Sequence, residues 1–224
     1  VAPTSEQPLT EQLWRSAAPV YDSILAHPFL GKLTDGTLPR ESFRHFVVQD
    51  SHYLRDYSRA LALCAAKAPT DDEVRTFAED AVGAIAAEQE MHRGFMDDLG
   101  PVRPDDAEVL PTTQAYTSYL LATAYSGSYA EAVAAVLPCY WIYARVGAEL
   151  LTRSSPDPLY TRWIAAYGDE AFQSVVRRVL TLTDRLGTGL STAERDRAVR
   201  CFTTTARYEW MFWDAAWRQE RWPV

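Results

Sequence analysis

The stretch Leu137-Pro138-Cys139-Tyr140-Trp141-Ile142-Tyr143 decides the reading of this 224-residue chain. It lies inside a segment, Ser128 to Leu150, whose apolar residues recur at helical spacing: Ala132, Ala135, Val136, Ile142, Tyr143, Val146 and Leu150. Cys139 falls in the middle of that stripe. Two other segments repeat the pattern with an ionisable group inside the stripe. Pro39 to Ala66 carries Phe43, Phe46, Val47, Tyr53, Leu54, Tyr57, Leu61 and Cys64, with Asp50 among them. Ser191 to Trp222 carries Phe202, Ala206, Phe212, Trp213, Ala216 and Trp217, with Glu209 among them. A carboxylate on a buried face is expensive unless it is paired, hydrogen-bonded or protonated. Two of them beside a thiol point to a shared polar pocket in an apolar core.

Each residue also has a plainer reading. Free cysteine usually packs as a small hydrophobe, and this reading is kept for Cys64 and Cys201. Asp50 paired with an arginine, and Glu209 capping a neighbouring helix, are ordinary structural roles. Glu88 and His92, one turn apart, read as a helix-surface pair, because a metal site needs further ligands.

Working outward, the chain is expected to be all-α, a single-domain bundle of eight or nine helices. Residues 1–8 read as a flexible arm and 9–224 as the domain. Helices are expected over Leu9–His27, Pro39–Ala66, Asp71 or Asp72 to Leu99, Pro111 through Leu120, Ser128–Leu150, Leu159–Tyr167, Glu170–Leu186 and Ser191–Trp222. Thr10 is the expected cap of the first. His27-Pro28-Phe29-Leu30-Gly31 ends it, and Asp35-Gly36 marks a turn. Ser191 with Glu194 forms a capping box. Pro138 should bend its helix beside Cys139. Gly100 to Leu110 reads as a loop.

Composition excludes several classes. A net charge of −8 with no long basic run argues against nucleic acid. It also disfavours anionic membranes and polyanionic substrates. No stretch approaches the roughly 20 uncharged apolar residues of a membrane helix. Three widely spaced cysteines make neither a disulfide framework nor a zinc motif, and suit a reducing cytosol. Val1 to Pro8 carries no signal-peptide pattern.

The chain resembles the TenA family, thiaminase II-like enzymes of thiamin-pyrimidine salvage with the all-helical haem oxygenase-like fold. The resemblance rests on His27-Pro28-Phe29-Leu30, Asp35-Gly36-Thr37-Leu38-Pro39 and Gln49-Asp50-Ser51-His52-Tyr53-Leu54, then on Pro111-Thr112-Thr113 with Tyr116-Thr117. It continues through Leu137 to Tyr143, Tyr160-Thr161-Arg162-Trp163-Ile164 with Tyr167, and Tyr208-Glu209-Trp210-Met211-Phe212-Trp213-Asp214. It implies Cys139 as nucleophile, Glu209 as acid/base, and Asp50 as the carboxylate on the aminopyrimidine edge. Tyr53, Tyr116, Tyr143, Tyr167 and Phe212 would line and stack the ring. Cys139 places the chain with the cysteine-bearing class.

The implied reaction is hydrolysis of 4-amino-5-aminomethyl-2-methylpyrimidine to the 5-hydroxymethyl compound and ammonia, with thiamin hydrolysis as a second activity. The resemblance further implies no metal or organic cofactor, a homotetramer and a cytoplasmic location. Two other classes compete. A metal-dependent oxidase on the same fold would use Asp50, Glu88, His92 and Glu209, but di-iron bundles repeat a Glu-x-x-His pair that is missing here. A non-catalytic pyrimidine-binding or regulatory protein would need neither nucleophile nor acid.

Overall fold

A computed structural model describes residues 7–100 and 107–224, without the side chains of Glu88, Met91, His92, Arg93, Met96 and Asp97. The expected Glu88–His92 pair therefore lies outside the described side chains, as do residues 1–6 of the expected arm. Within the described residues the regular structure is entirely helical. The helices are α1 (Leu9–Leu25), α2 (Pro28–Asp35), α3 (Arg40–Lys67), α4 (Asp71–Leu99), α5 (Pro111–Ser126), α6 (Tyr129–Leu151), α7 (Pro158–Gly168), α8 (Glu170–Gly187) and α9 (Thr192–Arg218). One cluster of buried apolar side chains draws on every one of them, from Leu13 and Phe29 through Phe46, Phe77, Leu120, Val136, Trp163 and Val179 to Trp213.

Most expected helices appear where their periodicity places them, and the differences have local causes. The break expected at His27–Gly31 instead opens a second helix, Pro28–Asp35. Pro28 occupies its first turn, where a missing N–H is harmless. The His27 ring caps it, Nδ1 accepting from the Phe29 N–H at 3.1 Å. Gly36 ends it in the left-handed conformation at φ 78°, in line with the Asp35-Gly36 turn signal. Thr70, rather than Asp71 or Asp72, caps α4. α5 runs on to Ser126, six residues beyond the expected Leu120. α9 stops at Arg218 instead of Trp222, because Gln219 turns left-handed at φ 52°. α6 continues through Pro138, and Ser191 and Glu194 form the expected capping box.

Two helix N-termini are capped by distant carboxylates. Thr10 is not the cap of α1, which starts after Pro8. Instead its N–H and hydroxyl both donate to Asp184 of α8, at 2.9 and 3.0 Å. At α5, the Thr112 N–H and hydroxyl both donate to Glu220, each at 2.9 Å. A carboxylate at a helix N-terminus satisfies orphan N–H groups and meets the positive end of the helix dipole. Gln7 is also held, its carbonyl accepting from Arg195 at 3.1 Å.

α6 is the central strut. It packs against α9, α7, α5, α8 and α3. Behind it, Tyr140 donates to Asp80 of α4 at 2.8 Å, and Arg178 of α8 pairs with the same carboxylate. Gly147 lets the end of α7 come against α6. A Cβ there would stand 2.5 Å from the Tyr167 carbonyl carbon. Alanine ordinarily favours a helix over glycine by about 1 kcal/mol, but backbone cannot rotate out of such a clash. Gly147→Ala is therefore expected to destabilise the fold by about 1–3 kcal/mol, read as a lower urea midpoint. An unchanged or raised midpoint would contradict the close approach.

Candidate active site

The three stripes that carried ionisable groups converge. Asp50 and Tyr53 come from α3, Tyr116 from α5, Cys139 and Tyr143 from α6, Tyr167 from α7, and Glu209 and Phe212 from α9. All eight expected site residues lie together. Tyr53 and Tyr116 rings meet at 4.8 Å, Tyr53 and Phe212 at 5.8 Å, and Tyr143 and Tyr167 at 4.8 Å. Asp50, Cys139 and Glu209 all act electrostatically on Tyr143 and Tyr167, which places the acids inside the aromatic wall.

Glu209 is 2 % exposed. Its Oε1 accepts from the Tyr116 hydroxyl at 2.6 Å, and Tyr116 in turn accepts from Tyr53 at 3.2 Å. Burial raises the Glu209 carboxyl to about 8, the Tyr116 hydrogen bond opposes that shift, and the nearby charge of Asp50 adds to it. Cys139 is surrounded by protein yet keeps part of its surface accessible. A group that deep stays accessible only where it faces a hollow. Tyr167 has the same character. Burial first, and the charge of Glu209 second, push the Cys139 thiol well above its usual range, while hydrogen bonds with Tyr53 and Tyr57 pull it down. Two clefts on the outer surface lie away from these residues: one runs beside His45 and Glu220, the other beside Val20 and Met211.

Tyr57 was read only as a core residue. It bonds the Cys139 sulfur, donates to the Val136 carbonyl at 3.0 Å and stacks on Tyr53 at 5.4 Å. Its position one turn after Tyr53 was the available signal. Tyr208 was also missed; its ring stacks on Tyr116 at 5.3 Å and 11°. Cys64 is buried, and burial raises its thiol to about 12, as expected for a packing residue. Among the described residues, no group of three or more His, Cys, Asp or Glu side chains is placed to hold a metal ion, and no helix is long and apolar enough to cross a membrane.

A helical bundle with a thiol and two carboxyls inside an aromatic-walled hollow defines a class of small-molecule site. The chain belongs to the TENA/THI-4/PQQC family, whose model matches residues 14–219. It is 33% identical over 216 residues to the aminopyrimidine aminohydrolase of Bacillus subtilis, covering 95% of this chain and 91% of that protein. It is 34% identical over 212 residues to the thiamine biosynthesis multifunctional protein ThiED of Corynebacterium efficiens, of whose length it spans 29%. Among solved structures, the TenA homologue from P. horikoshii OT3 matches with a TM-score of 0.86 and 31% identity over 95% of this chain and 99% of that one. A heme oxygenase-like domain from Shewanella denitrificans shares the fold, with a TM-score of 0.74 at 18% identity over 96% of this chain and 94% of that one. The all-α, haem oxygenase-like expectation is borne out.

The raised Glu209 carboxyl has a consequence for stability. Between about pH 4.5, the ordinary value, and about 8, the folded chain keeps a proton that the unfolded chain has released. This group's contribution is therefore full below about 4.5 and is lost as pH rises through about 8, an effect on the order of 5 kcal/mol at most. Glu209→Gln, which keeps an acceptor for Tyr116, should flatten the decline in unfolding free energy measured by urea titration from pH 5 to 8. An equal slope in both proteins would contradict the burial of the ionisable carboxyl.

Proposed function

We propose that this protein is an aminopyrimidine aminohydrolase. It would hydrolyse 4-amino-5-aminomethyl-2-methylpyrimidine to the 5-hydroxymethyl compound and ammonia in thiamin salvage, with slower hydrolysis of thiamin. The observation that carries the reading is the convergence of Cys139, Glu209 and Asp50 on one aromatic-walled hollow. The Bacillus subtilis relative, matched over nearly its whole length, bears that activity in its name.

An aminopyrimidine is flat, apolar on its faces and polar on its edge. Tyr53, Tyr116, Tyr143, Tyr167 and Phe212 supply faces for the ring. Asp50 accepts from the exocyclic amine or from a protonated ring nitrogen, and so draws electrons out of the ring. Cys139 attacks the electrophilic ring carbon as thiolate. Glu209 gives a proton to the departing amine, then takes one from the water that installs the hydroxyl, and the C–S bond breaks to return Cys139 as thiolate, so that Glu209 acts as acid and afterwards as base. A carboxyl whose ionisation lies near 8 can do both close to neutrality. A cationic aminomethyl group also suits a site with two carboxyls, consistent with the net charge of −8. The same reading takes the chain as a homotetramer acting in the cytoplasm without a cofactor.

Ammonia release and product mass, with the aminomethylpyrimidine and thiamin in parallel, test this. Cys139→Ser is expected to lower turnover by about 10³-fold or more while the pyrimidine still binds, measured by calorimetry. Turnover unchanged in Cys139→Ser would remove the nucleophile. No ammonia from the wild-type protein would remove the activity.

A further inference from the structure

Cys139 stands on a turn of α6 that is short of one backbone hydrogen bond. Pro138 has no N–H, so the Ala134 carbonyl loses its partner in the helical ladder just before the thiol. Helix kinks concentrate at such places. Yet α6 continues past the proline to Leu151. Neighbouring helices supply the restraint from outside. Before the proline, the Val136 carbonyl accepts from the Tyr57 hydroxyl of α3 at 3.0 Å. After it, Tyr140, the residue next to Cys139, donates its hydroxyl to Asp80 of α4 at 2.8 Å. The two phenol rings meet edge to face, 5.9 Å apart.

The Asp80 side chain is 6 % exposed, and a carboxylate is not buried without partners. Burial raises its carboxyl, and the Tyr140 hydroxyl and then Arg178 oppose the rise. Arg178, itself 43 % exposed, pairs with one oxygen, and the phenol donates to the other. The outer link alone is an ordinary tie between α4 and α8. The inner link reaches the residue beside the nucleophile. Successive residues on a helix point about 100° apart. Cys139 faces the hollow, and Tyr140 reaches away from it to α4. A phenol fixed at its far end sets the roll of α6 about its own axis, and with it the direction of the sulfur.

We propose that Asp80 is a positioning residue for Cys139, acting through the hydroxyl of Tyr140. It acts at one remove: Asp80 holds Tyr140, and Tyr140 holds the turn. A working site keeps its groups within about 0.5 Å and 10–20° of the productive geometry. A turn that lacks a ladder bond is where that precision is most easily lost. The Tyr140–Asp80 bond restores it from the far side of the helix, where it competes with neither the ring nor the departing amine.

The proposal rests on the aminohydrolase reading, which makes Cys139 the nucleophile, and its test separates the two. Ammonia release, pyrimidine affinity by calorimetry and urea midpoints are compared for the wild type, Tyr140→Phe, Asp80→Ala, Asp80→Asn and Arg178→Met. Tyr140→Phe keeps the ring and removes only the hydroxyl. It should lower kcat on the order of 10-fold. KM and the pyrimidine affinity should stay within about twofold, because the nucleophile is disturbed and the ring site is not. Asp80→Ala should do the same, and the double variant should be no slower than the slower single one. Asp80→Asn keeps an acceptor for the phenol and should recover most of the lost kcat. Arg178→Met leaves the phenol bond in place. It should lower the urea midpoint and keep kcat within about twofold.

A merely structural pair gives a different pattern: lower midpoints throughout, with kcat unchanged in Tyr140→Phe. That result would overturn the positioning role and leave the activity standing. Arg178→Met as slow as Tyr140→Phe would assign the effect to the ion pair and overturn the path through Tyr140. If Asp80→Ala does not fold, Tyr140→Phe and Asp80→Asn carry the test. If the wild-type protein releases no ammonia, the activity falls, and alkylation of Cys139 by iodoacetamide, located by mass spectrometry, decides the positioning. Reagent reaches the thiol through the hollow, so a turn free to roll reacts more slowly. Tyr140→Phe should be alkylated about threefold more slowly than the wild type, and Arg178→Met at the wild-type rate. Equal rates in all three overturn the role.

Discussion

The hydrogen bond from Tyr116 to Glu209 is the interaction on which the rest of the site depends. A carboxyl 2 % exposed in an apolar bundle has to be neutral or well paired. One short bond from a phenol, worth about 1.5–3 kcal/mol when the acceptor is charged, offsets only part of the burial. The group is left poised between its two forms near neutrality instead of locked in one. A second donor would favour the carboxylate further, and loss of the one present would favour the acid.

Much of this was legible in the sequence because it is written in local periodicity. Asp50, Cys139 and Glu209 each stand on an otherwise apolar helical face, and that mismatch singled out three residues that the fold brings together. The helices themselves follow from the same spacing. What stayed illegible depends on partners far along the chain. Nothing near Thr10 announces Asp184, and nothing near Thr112 announces Glu220. α2 was missed because its cap is a histidine ring, which local rules do not count among capping side chains. Tyr57 was missed as a site residue because a tyrosine on an apolar stripe reads the same whether its hydroxyl is idle or bonded to sulfur.

The aromatic wall does structural and chemical service together. Phe46 stacks on Trp213 at 4.9 Å and 9°, and Trp163 stands edge-on to both. Those rings fix the floor against which Tyr143 and Tyr167 lean. A packed aromatic shell lowers the local dielectric, so each hydrogen bond inside counts for more.

The tail that follows α9 has a mechanical meaning. α9 reaches α5 at two places: through Glu209 to Tyr116, and, beyond its own end, through Glu220 to Thr112. A rod held by one pin can still swivel, whereas a rod held by two cannot. The Tyr116 phenol is thus kept from rolling away from its acceptor by residues at the far end of the chain. The residues that follow α9 belong, in effect, to the machinery that aims a single phenol.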